Sequence, residues 1–142
     1  MIRLHETRTV SAPVTEAFDY AANFENIENW DPGVVNSKRV GDGPVAVGSS
    51  FDLVTVFKGR ESDMTYTITE LDRPRRVVLK GEGKLLSAVD AMEFSETATG
   101  TEIRYTADLT FKGIAKIGTL FIRDDLDQLG RDAVDGLKAA LD

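Results

Sequence analysis

From residue 34 to residue 112 the hydrophobic pattern of this chain repeats every two residues, and from residue 115 to residue 141 it repeats with a helical period. This change of period limits the fold more than any other feature. Side chains on a strand alternate between two faces, whereas a helix returns to the same face after three or four residues. Strands are predicted over 34–40, 48–57, 61–71, 75–82, 85–95 and 101–112. The turns between them carry Gly41-Asp42-Gly43-Pro44, Lys58-Gly59, Asp72-Arg73-Pro74, Gly81-Glu82-Gly83 and Thr99-Gly100. Connections this short join antiparallel neighbours. The final strand is the clearest: Ile103, Tyr105, Ala107, Leu109 and Phe111 fall on one face, with Glu102, Arg104, Thr106, Asp108 and Thr110 on the other. That is a sheet with one buried and one wet face.

The segment after it places Ile122, Leu126, Leu129, Ala133, Leu137 and Leu141 in one stripe. A helix of ~25 residues runs ~37 Å, enough to cover a sheet. At the other end, residues 2–10 read as a strand, and Ser11-Ala12-Pro13 stops it. Ser11 suits an N-cap and Pro13 the first turn of a helix over 13–22, with Val14, Ala17, Phe18 and Ala21 on its apolar face. Residues 23–30 suit a second short helix, ended by Asp31-Pro32-Gly33. The sum is one α+β domain over 1–142: a strand, two short helices, six strands and a long C-terminal helix.

Composition removes several functions. The chain has no cysteine, which excludes disulfides, Cys-ligated metals and a Cys nucleophile. His5 is the only histidine, so neither a His-based triad nor a metal site is expected, and no cofactor. A net charge of -7 disfavours nucleic acid, since the densest basic stretch is only Arg73-Pro74-Arg75-Arg76 beside a turn. No glycine loop leads from a strand into a helix to cradle phosphate. No apolar run approaches the ~20 residues of a membrane span, and Met1–Arg8 lacks the apolar core of a secretory signal. A cytoplasmic protein, monomeric or weakly dimeric, is expected.

The element order resembles the START-like superfamily, also called SRPBCC, and within it the polyketide cyclase/dehydrase-like families. Val10-Ser11-Ala12-Pro13, followed by Ala17-Phe18, is similar to the way those chains close their first strand. Trp30-Asp31-Pro32-Gly33-Val34 resembles their tryptophan–proline corner. Val47-Gly48-Ser49, Thr99-Gly100-Thr101-Glu102-Ile103, Phe111-Lys112-Gly113 and Gly136-Leu137-Lys138 also fit, in the right order along nearly the whole chain. The resemblance implies a helix-grip fold, in which a curved antiparallel sheet of about seven strands wraps the long C-terminal helix. It also implies a cavity between the two.

By parity the concave face holds Phe51, Leu53, Thr55 and Phe57, then Met64, Tyr66 and Ile68, then Leu86, Ala88, Asp90, Met92 and Phe94, and finally Tyr105, Leu109 and Phe111. These side chains either form a solid core against the helix or line a cavity of at least ~300 Å³, the lower end for small-molecule sites. Ile117, Leu120 and Phe121 are expected at the cavity mouth, as packing or as a gate. The candidate ligand-binding set is therefore Phe51, Leu53, Phe57, Met64, Tyr66, Ile68, Asp90, Met92, Phe94, Tyr105, Leu109, Ile117, Leu120 and Phe121. Asp90 is the odd member, because a buried carboxylate is costly unless paired or protonated. Either a bulge near 88–90 turns it outward, or it is a polar anchor or acid–base group, with Arg8 or Arg104 as possible partners and Tyr66 and Tyr105 as possible donors. Three functions are open: binding or carriage of a small hydrophobic molecule of lipid, polyketide or isoprenoid type; an aromatase/cyclase-type enzyme in the same cavity; and a protein-binding module using Leu85, Val89 and Ala91 on the outer face.

Overall fold

A computed structural model describes residues 1–113 and 123–142. The strands are β1 (Ile2–Val10), β2 (Val34–Val40), β3 (Ser50–Phe57), β4 (Arg60–Asp72), β5 (Arg76–Gly83), β6 (Leu86–Glu96) and β7 (Thr101–Phe111). The helices are α1 (Val14–Ala22), α2 (Ile27–Trp30) and α3 (Arg123–Leu141), with a 3-10 turn at Phe24–Asn26 before α2. All seven strands form one antiparallel sheet in the order β1-β7-β6-β5-β4-β3-β2. This is the expected helix-grip arrangement.

Two local expectations change. Ser11 does not cap α1; Pro13 occupies that position, without a side-chain cap. Ser11 and Ala12 instead tie the first strand to the far end of the chain. The Ala12 N–H donates to the Leu141 carbonyl at 3.0 Å, and the Ser11 N–H to the Asp142 carboxylate at 3.2 Å. The expected second helix splits into the 3-10 turn and α2. In that turn the Asn23 side chain accepts the Glu25 N–H at 3.3 Å. The part of the C-terminal helix expected over 115–122 lies outside the described residues.

Alternation along the strands buries one face. In β7, Ile103, Tyr105, Ala107 and Leu109 are buried, while Arg104 is exposed. Phe111, expected in the core, is only part-buried. α3 lies over β1 and against α2, burying Leu126, Gly130, Ala133, Val134, Leu137 and Leu141. Its approach to α2 depends on Gly136, where any Cβ would collide with the Trp30 carbonyl oxygen. Arg8 pairs with Asp135 at 2.9 Å, and Lys58, in the β3–β4 turn, with Asp125 at 2.6 Å. Exposed pairs of this kind orient the helix more than they stabilise it.

Candidate functional site

The interior divides into a filled end and a hollow one. Phe18 of α1 meets Phe94 edge-on, with ring centroids 5.2 Å apart. Phe24 packs on Phe51 at 6.1 Å and on Tyr66 at 5.2 Å. The short helices therefore plug one end of the concave face. Phe51, Ile68, Met92 and Phe94 are fully or almost fully buried there as core. At the other end α3 stands off the sheet and leaves a cavity of about 240 Å³.

That cavity collects Leu53, Phe57, Met64, Tyr66, Asp90, Tyr105 and Leu109 from the sequence-predicted set. Phe51, Ile68, Met92 and Phe94 are not in its lining. Ile117, Leu120 and Phe121 fall outside the described residues. The helical wall is Leu126, Leu129, Gly130 and Ala133, and Ala107 lies between the sheet residues. Arg60, Glu61 and Leu85, all exposed, mark where it reaches the surface. The volume is smaller than the expected ~300 Å³, because Tyr66, Tyr105, Met64 and Phe57 project into the space.

Asp90 points inward. The β5–β6 and β6–β7 registers run unbroken past it, with Leu79 and Ala107 as its cross-strand partners, so no bulge turns it out. It is 4% exposed. Neither arginine serves it: Arg8 pairs with Glu6 and Asp135, and Arg104 with Glu102. Its partner is Tyr105, whose hydroxyl donates to Asp90 Oδ2 at 2.6 Å. Asp90 Oδ1 is buried without any partner among the described residues. Burial pushes the Asp90 carboxyl up to about 7; the Tyr105 hydrogen bond opposes this, and the charges of Asp31 and Asp108 add to it. A group poised there can give or take a proton at neutral pH.

Tyr66 is placed by a glycine. Gly81 is its cross-strand partner, and a Cβ at Gly81 would lie 2.6 Å from the Tyr66 ring. The ring can therefore lie across the neighbouring strand. Its hydroxyl reaches only Met64 Sδ, at 4.0 Å. Burial holds both tyrosine hydroxyls well above their ordinary pKa, and the Asp90 charge adds to that.

The sequence places Asp31 in a helix stop and in the tryptophan–proline corner, not among the site residues, yet it lines the cavity. Its Oδ1 accepts the Gly33 N–H at 2.8 Å, the turn that an Asp-Pro-Gly sequence favours. Burial pushes its carboxyl up to about 6; the Gly33 N–H opposes this and the charge of Asp132 adds to it. The available signal was the Trp30–Gly33 corner itself, which must meet α3 if that helix covers the sheet.

His5 is exposed, with Nδ1 3.0 Å from the Thr106 hydroxyl, away from the cavity. No group of three or more His, Cys, Asp or Glu suited to a metal occurs among the described residues, and no helix there is long and apolar enough to cross a membrane. Leu85, expected on the outer face, lies instead in the β5–β6 turn at the cavity rim, and Val89, exposed on the outer face, lies between Lys80 and Asp108 on the adjacent strands, so charge interrupts that apolar surface.

A curved sheet gripping a C-terminal helix over an apolar cavity defines a START-like ligand-binding or cyclase class. The chain belongs to the family described as polyketide cyclase / dehydrase and lipid transport, which matches residues 1–142. Among solved structures it is similar to the Zhui aromatase/cyclase from Streptomyces sp. R1128, at 12% identity and a TM-score of 0.80, covering 99% of this chain and 93% of that one. A protein from Thermus thermophilus gives 18% identity and 0.79, covering 99% and 94%. The di-domain ARO/CYC StfQ from the steffimycin biosynthetic pathway gives 18% and 0.74, covering 99% of this chain and 50% of that one. These likenesses establish the fold. No curated protein matches the chain.

Proposed function

We propose that this protein binds and carries a compact, mainly apolar molecule in the cavity between the sheet and α3. The observation that carries this reading is the form of the cavity: walls of Leu, Met, Phe and Ala side chains, with polar groups gathered at Asp90, Tyr66, Tyr105 and Asp31. Apolar walls supply affinity through burial, and a few fixed polar groups supply orientation. The volume suits a ring-sized molecule better than a full lipid chain.

A second reading, a cyclase-type enzyme acting in the same cavity, is favoured by one observation. Asp90 titrates near neutrality beside the Tyr105 hydroxyl. It requires that the bound molecule leave chemically changed, whereas carriage requires that it leave intact.

Ala107 offers a test. It is buried on β7 between Tyr105 and Leu109 and faces the cavity. The wild-type protein should bind an environment-sensitive apolar dye saturably, and Ala107→Phe should weaken that binding about tenfold or more by filling the space, while keeping the wild-type far-UV spectrum. Dye binding that Ala107→Phe leaves unchanged would remove the cavity as the site.

A further inference from the structure

Resting on the cavity reading, we infer that the molecule bound there is an apolar ammonium cation, with its charged end seated between Asp90 and Asp31 and its apolar body along α3.

Donors and acceptors do not balance at the polar end of the cavity. Asp90 lines the cavity, and its Oδ1 is buried with no donor among the described residues. Its other oxygen takes the Tyr105 proton, which leaves the Tyr105 oxygen as a further acceptor. Asp31, half-buried at the cavity wall, uses Oδ1 on its own turn, and its second oxygen has no hydrogen bond among the described residues. The Tyr66 proton is spent on a thioether at the limit of contact. With Asp90 ionised, the polar end of the cavity therefore offers a surplus of acceptors. An ammonium has three donors and no acceptor, and matches that surplus. A carbonyl or carboxylate would add acceptors to it.

Charge points the same way. Asp31 and Asp90 each sit in the field of other carboxylates, Asp132 and Asp108 respectively, and Asp31 also acts on Asp90. Among the described residues no cation of the protein answers them inside. Among the described residues, those lining it from β1 and α3 are uncharged, and the only basic one in the lining, Arg60, is exposed at the rim beside Glu61. A buried carboxylate without a cation is expensive, and a ligand that brings the cation removes the cost.

The test uses three probes of one shape: 2-(2-naphthyl)ethylamine, 2-(2-naphthyl)ethanol and 2-naphthylacetate, titrated calorimetrically into the full chain at pH 7.5. The amine should bind at least about tenfold more tightly than the alcohol, with the acetate weakest, as expected for a charge-assisted bond to a buried partner. Asp90→Asn should bring the amine to within about threefold of the alcohol. Tyr105→Phe, which removes the hydrogen bond favouring the Asp90 carboxylate, should also weaken the amine selectively. It serves as the second variant should Asp90→Asn fold poorly. Amine affinity should rise between pH 5.5 and pH 8 while alcohol affinity does not. An alcohol or acetate that binds as tightly as the amine, or an amine preference that survives both substitutions, overturns the cation assignment and leaves the cavity reading intact. Failure of all three probes to bind or to displace the apolar dye overturns the cavity reading, and the cation assignment with it.

Discussion

Replacing Asp90 by Asn should make the protein more stable relative to wild type as pH rises. In the folded chain the Asp90 carboxyl titrates at about 7, against an ordinary value of 3.8, chiefly because it is buried. A raised acid pKa means that the folded state holds its proton more tightly than the unfolded chain. The contribution to stability is therefore full below pH 3.8 and is lost progressively as pH rises towards 7. About three pH units at about 1.4 kcal/mol per unit amount to ~4 kcal/mol across that window. Asp31 adds a loss of the same sign, since burial pushes it up to about 6. The exposed carboxylates held low by arginine or lysine, Asp19, Asp108 and Glu82, act in the opposite direction. All of these are present in both proteins, so the difference between variant and wild type isolates Asp90. Urea unfolding of both proteins from pH 4 to pH 8 should show that difference growing by ~2–4 kcal/mol in favour of Asp90→Asn. Two stability curves that run parallel with pH would refute an inward, unpaired Asp90.

Packing gives two further expectations, both read by the same unfolding measurement. Leu126→Ala removes a side chain that is 3% exposed and should cost ~2–5 kcal/mol, from lost transfer energy plus a cavity. Phe111→Ala should cost about half the ~3–5 kcal/mol of a fully buried Phe, because Phe111 is part-buried at the cavity wall. A Phe111 substitution that costs more than that of Leu126 would show that the residue is core.

The strands could be read from the sequence because each buries a single face, and alternation records that burial residue by residue. β7 shows this from Ile103 to Leu109. The same parity put Asp90 inside, and the unbroken registers on both sides of β6 keep it there. Parity does not say how far along the sheet each helix reaches. Phe51, Ile68, Met92 and Phe94 share a face with Leu53 and Tyr66, yet Phe18 and Phe24 close over that end and turn it into core. Asp31 was missed for a related reason. Its chain-local role, bonding Gly33 in a turn, fully explains an Asp-Pro-Gly sequence. Its second role exists only once α3 docks beside α2, a contact set by the absence of a side chain at Gly136.

Everything proposed for this protein depends on the space between the sheet and α3 holding a small molecule. Native mass spectrometry of protein purified under mild conditions reads that directly. A bound species of small-molecule mass is expected, at no more than one per chain, released on unfolding and missing from Ala107→Phe. Bare chain mass in the wild type, together with failure to take up any of the naphthyl probes, would overturn the ligand reading.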